Sequence, residues 1–156
     1  MNEIERIVDQ LERAYRGEAW HGPSIREVLD GVDAEAASAR PVANAHTIGE
    51  LVVHLLAWEK EALARLAGTG RNDLPPEEDW PKGAAAWREL LEELDAVHER
   101  LSVAISAISA ISECSDDILG KTVPGRPGTT VYALLHGVIQ HNLYHAGQIA
   151  LLKKAL

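Results

Sequence analysis

The chain has 156 residues, 46% of them hydrophobic, which predicts one domain, 1–156, with a single buried core. Its formal charge is −9, with fifteen Lys and Arg scattered among twenty-four acids, so no basic stripe exists to neutralise phosphates and nucleic acid is not an expected partner. The single cysteine, Cys114, excludes an internal disulfide and any multi-cysteine zinc site; it leaves histidine and carboxylate as metal ligands and fits a reducing cytoplasm.

No apolar run reaches the roughly 18 uncharged residues of a membrane span, and MNEIERIVDQ is charged from its third residue. A soluble, unexported, cytoplasmic protein without membrane attachment is expected. From Asn2 to Arg16, Ile4, Ile7, Val8, Leu11 and Tyr15 recur at helical spacing, with Gly17 as a stop. Ser24, followed three residues on by Glu27, opens a short connecting helix ending near Gly31. A second long helix starts near Thr47, where Glu50 completes a capping box, and runs to Gly68 with Ile48, Leu51, Leu55, Trp58, Ala62 and Leu66 on one face. The stretch from Thr69 to Lys82 holds Pro75, Pro76 and Pro81 among acids and reads as a long surface crossover.

A third long helix is predicted from about Gly83 to Ser112, with the short-period AISAISAIS inside it as a frayed or tightened end. After GKTVPGRPG, Thr129 and Thr130 are N-cap candidates for a final helix that ends at Lys153 and Lys154, whose charge suits a helix C-terminus. Four long helices and no strand pattern predict an all-α four-helix bundle. Without any Phe, the aliphatic residues and four Trp must fill the core, and the indole N–H groups of Trp58 and Trp87 need partners there.

Histidine carries the functional argument. On the last helix, positions 131, 138, 145 and 152 read Val, Val, His, Leu, and 134, 141, 148 and 155 read Leu, His, Gln, Ala. His141 and His145 thus project inward one turn apart, close enough to share an ion at about 2.0–2.1 Å. His54 lies on the apolar stripe of the second long helix between Leu51 and Trp58. A lone inward histidine is more often a hydrogen-bonded core residue than a ligand, but three buried rings all need partners for their nitrogens, and one metal ion satisfies all three.

The other histidines are weaker candidates. His136 lies about 140° around the helix from His141. His98 sits in a charged stretch and is expected to be solvated. His46 precedes the second long helix, where a capping or surface role is expected; His21 is in a connection. A zincin is excluded because Asn142, not Glu, follows His141, and a di-iron site because no Glu-x-x-His occurs near these residues. Cys114, beside Glu113 and Asp116, reads as an ordinary free thiol.

The segments AWHGPSIREVL, HTIGELVVHLLAWE and above all HGVIQHNLYHAGQIALLKK resemble the DinB/YfiT-like metalloproteins over nearly the whole chain. The resemblance implies a four-helix bundle with a long crossover and a metal site of one histidine from the second long helix and two, four apart, from the last. The matching positions are His54, His141 and His145, the same three that spacing selects. Gly49 departs from the pattern, standing where similar sequences often carry a bulky aromatic residue; a larger pocket or looser helix packing is the expectation.

Three neutral imidazoles leave a divalent ion with its full charge and an open position, which suits catalysis. Zinc, nickel, copper and iron all accept such ligands. The leading expectation is a hydrolase or a thiol S-transferase acting on a small molecule, since characterised relatives include thiol-dependent S-transferases. Gln148 and Tyr144 are the candidates for orienting a substrate, and Glu50, one turn before His54, for supporting the ligands or acting as base. The alternative is a non-catalytic, metal-stabilised bundle serving as a sensor or interaction module. Expected partners are a small-molecule substrate, a low-molecular-weight thiol and a second copy of the chain as homodimer; exposed Trp and Leu offer the surface for such a dimer even in a metal-free bundle.

Overall fold

The structure, a computed structural model, describes residues 1–82, 86–111 and 115–156. Among these, eight helices occur in the order α1 Glu3–Arg16, α2 Ile25–Leu29, α3 Ala34–Ser38, α4 Ile48–Leu66, α5 Pro76–Asp79, α6 Trp87–Ile111, α7 Ser115–Leu119 and α8 Val131–Lys154. The only β pairing among the described residues is an isolated bridge between Thr122 and Thr130.

Local chemistry starts each long helix where a cap is available. The side chains of Asn2 and Thr47 each accept the N–H of the third helical residue, and the Glu at that position returns a bond to the cap backbone. Ser24 and Glu27 do the same for α2, and Thr130 caps α8 through the Ala133 N–H. At the far end of α8, the Lys153 ammonium donates to the Val28 carbonyl (3.2 Å) and to that of Asp30, tying the end of α2 to it.

Three short helices depart from the expected connections. α3, α5 and α7 span five, four and five residues, too short to show a helical period in the sequence. The expected third helix is present as α6; residues 83–85 and 112 of that prediction, and Cys114, lie outside the described residues. Gly49 is explained by α3: a Cβ there would stand 3.1 Å from the Ala37 carbonyl oxygen, so the glycine lets α3 approach α4.

The four long helices adjoin in a closed cycle, α1 to α6, α6 to α4, α4 to α8 and α8 to α1. Two apolar clusters fill the space between them. One gathers Leu51, Leu55, Leu94, Val97, Ala146 and Ile149, and the other Ile7, Leu11, Ala62, Leu101, Leu135 and Ile139. Along α4, α6 and α8 buried polar residues lie between the two clusters, among them Glu59, His98 and Asn142, exposed by 1%, 0% and 1%. His98 is therefore buried, not solvated as its charged neighbours suggested. Helical register decides its place, because it lies four residues after Leu94 and three before Leu101, on the buried stripe of α6.

Candidate metal centre

His54 on α4 and His141 and His145 on α8 turn their rings to one point. The Nε2 atoms of His54 and His141 are 3.0 Å apart, and those of His141 and His145 are 3.1 Å apart. The three nitrogens all lie within 4.8 Å of one another. Ligands of a tetrahedral ion at about 2.0–2.1 Å stand roughly 3.3 Å apart, so the cluster is of the right size.

The outer nitrogens fix the tautomers. His54 Nδ1 donates to the Asp79 carbonyl oxygen at 2.7 Å, and His145 Nδ1 donates to Gln148 Oε1 at 2.6 Å. Each neutral ring then presents an Nε2 lone pair to the centre. His141 Nε2 carries at most one proton and faces both lone pairs, so a shared cation is what satisfies all three atoms; the residues fit a divalent metal. Burial lowers the pKa of His54 and of His145. For His141, burial and the neighbouring His145 and His54 push it down to about 3, so all three rings are neutral near pH 7.

Around this cluster lies a shell that helical periodicity in the sequence does not reveal. α5 delivers Asp79 and Trp80 to His54: Trp80 stacks on the imidazole, and Asp79 Oδ1 accepts from the Trp58 indole N–H at 2.7 Å. The expected need of Trp58 is met there, and that of Trp87 by the Val32 carbonyl at 2.8 Å. The sequence did hold a sign of α5, with Pro76 at its first position and Glu77, Glu78 and Asp79 in its first turn. His46 lies at the surface with Nδ1 3.3 Å from Glu50 Oε2, and its ring stacks on Trp80 at 3.6 Å.

Of the residues expected near the ligands, Gln148 holds His145. Tyr144 meets the His145 ring edge-on at 5.0 Å while remaining 64% exposed. Glu50 is taken up elsewhere: its carboxylate accepts the Thr47 N–H and pairs with Arg40. Burial opposes its ionisation, but the Thr47 N–H, Arg40 and His46 outweigh it and hold its pKa below the usual range, which makes it a poor base. His136 lies against Tyr132, and His21 is exposed.

Beside the histidines a cavity of about 550 Å³ runs between α4 and α8. Glu59 and Asn142 border it. Asn142 Nδ2 donates to Glu59 Oε1 at 2.9 Å, and His98 Nδ1 lies 3.1 Å from the same oxygen. The opposite ring nitrogen of His98 is 3.4 Å from Glu12 Oε1, and Tyr15 stacks on the imidazole at 3.6 Å. Each of the four long helices thus contributes to one buried polar knot.

Comparison with known families agrees with this geometry. The model of the DinB superfamily matches residues 19–149, and the chain belongs to that superfamily. No curated protein and no solved structure gives a match. Among the described residues, no helix is long and apolar enough to cross a membrane.

Proposed function

We propose that this member of the DinB superfamily binds one divalent metal ion through the Nε2 atoms of His54, His141 and His145 and acts on a small molecule, by hydrolysis or by transfer of a thiol to an electrophile. The observation that carries the reading is the pair of Nδ1 donations, to the Asp79 carbonyl and to Gln148, which aim lone pairs at one point beside a cavity. When bound, a divalent ion with three neutral imidazole ligands keeps its charge and an open position, and so supplies the Lewis acidity that lowers the pKa of water or a thiol.

The chain's own groups do the rest. The Asp79 carbonyl and Gln148 hold two rings in orientation, and the stacked Trp80 shields His54 from solvent. Tyr144, also lining the cavity, offers a hydroxyl to a bound molecule. In the alternative, His54 and the His141–His145 pair meet only to clamp α4 to α8. The adjoining cavity favours the catalytic reading, since a closed structural site has no use for it.

Elemental analysis of untagged protein is expected to give one ion per chain, zinc, nickel, iron or copper, and none in His54→Ala. A screen of electrophiles with and without small thiols then reads the reaction. Metal-free wild-type protein, or a His54→Ala variant that retains its ion, would overturn the proposal. A metal-loaded protein inert to every electrophile, whose fold collapses on chelation, would establish the clamp instead.

A further inference from the structure

We infer that the groove between α4 and α8 binds an elongated organic anion, with an electron-pair donor at one end placed against the three histidines and a carboxylate at the other end held by Arg126. The inference rests on the metal-site reading above and names the class of molecule that site receives.

The two ends of the groove differ in charge. At the histidine end Asp79 serves Trp58 and His54; midway along α4, Glu59 gives Oε1 to His98 and Asn142 while its buried Oε2 has no hydrogen-bond partner among the described residues. At the far end, Arg65 and Arg126 both donate to the carbonyl oxygen of Asn72. Arg65 is balanced by Glu61, 3.0 Å away, and both side chains are 5% exposed. Arg126 has no such balance, for among the described residues no carboxylate lies within ion-pair distance of it. One uncompensated guanidinium therefore borders a half-enclosed cavity, where an anion gains more from it than at an open surface.

The backbone fixes that end in place. Gly125, at φ +75°, lets the loop before α8 pass so close that a Cβ there would stand 3.1 Å from the Gly70 carbonyl oxygen. A Cβ on Gly70 would in turn lie 2.7 Å from the backbone of Arg65.

The distance between the ends sets the length of the ligand. Along α8, Ala133 and His141 both line the groove, and eight residues of helix rise about 12 Å. Along α4, His54 and Arg65 line it across eleven residues, about 16 Å of backbone rise and an upper limit, since the Arg65 guanidinium leans back to 5.3 Å from the Trp58 ring. Between them the wall is mainly apolar, formed by Ala62, Leu134, Gly137 and Val138 and interrupted by the paired Glu59 and Asn142. A Cβ at Gly137 would meet nothing within 4 Å, so the absent side chain leaves the passage open. A chain with a nonpolar middle fits such a channel.

Calorimetric titration of the metal-loaded protein tests this, with ω-mercaptoalkanoic acids of increasing length beside the matching ω-mercaptoalkanols. At lengths that span the groove, the acid is expected to bind about tenfold tighter than the alcohol; short chains should show no preference. Arg126→Gln should abolish the preference without weakening the alcohols. Gly137→Leu, a change that favours helix, should exclude the long chains and leave the short thiols bound. Acids and alcohols that bind alike at every length, or a preference that survives Arg126→Gln or Gly137→Leu, would overturn the anion site while leaving the metal site standing. Failure of both series to bind a protein that holds its ion would overturn the open-position reading and this inference with it, and metal content, measured separately, would still decide the metal site.

Discussion

Trp80 lies flat on His54, ring centroids 3.9 Å apart and planes 7° from parallel, although 26 positions separate them in the chain. The contact makes α5 part of the histidine site. Trp80→Ala should cost about 1 kcal/mol of stability. It should also weaken metal binding several-fold, because His54 loses one wall while keeping its bond to the Asp79 carbonyl. Trp80→Phe preserves the stacked face and should recover most of both losses. Denaturant unfolding and titration against a competing chelator measure the two quantities separately.

Gln148 holds the His145 ring and, under the proposed function, would act on a bound metal through it. Replacing it with Leu keeps the bulk and removes the acceptor for Nδ1–H, which frees the ring to change tautomer. Metal affinity should fall about ten- to a hundredfold, with the helical content unchanged. Gln148→Glu retains an acceptor oxygen and should stay close to wild type. Equal affinities in all three proteins would show that the 2.6 Å contact has no part in holding the ligand.

Acid should destabilise the metal-free protein. Burial, with His145 and His54 nearby, lowers the His141 pKa to about 3, below the roughly 6.5 of an unfolded chain. Between those values the unfolded state binds more protons, so stability is full above about pH 6.5 and falls as pH drops toward 3. His54 and His145, also lowered by burial, act in the same direction. A loss on the order of a few kcal/mol is expected across that window, read from urea midpoints at successive pH values. In His141→Ala the slope should flatten markedly.

The buried knot should respond asymmetrically to mutation. His98→Leu removes a partner of Glu59 and strands its carboxylate, at a cost of about 3 kcal/mol. Adding Glu59→Gln to that variant removes the buried charge while leaving Asn142 an acceptor oxygen, and should recover a substantial part of the loss. A double-mutant cycle followed by denaturant unfolding gives the coupling directly. Additive losses would mean that His98 and Glu59, 3.1 Å apart, do not stabilise one another.

Helix starts were legible because capping is a conversation within three residues: Ser24 with Glu27, and Thr47 with Glu50, are readable without a fold. The placement of His141 and His145 on one inward face follows from helical register in the same way. The charged neighbours of His98 point to solvent, yet Leu94 and Leu101 mark its buried stripe as clearly as Leu51 and Trp58 mark that of His54. Helical phase, not neighbouring charge, decides burial.

Other relationships have no local trace. Asp79 and Trp80 reach His54 only because α5 folds back against α4. The 3.0 Å between His54 and His141 spans 87 positions of chain. The order of residues settles which way a side chain leaves its helix, because hydrogen bonds between near neighbours set that direction. How far apart two such side chains come to rest depends on the packing of whole helices, and packing brought the histidines, Trp80 and Arg126 to a single groove.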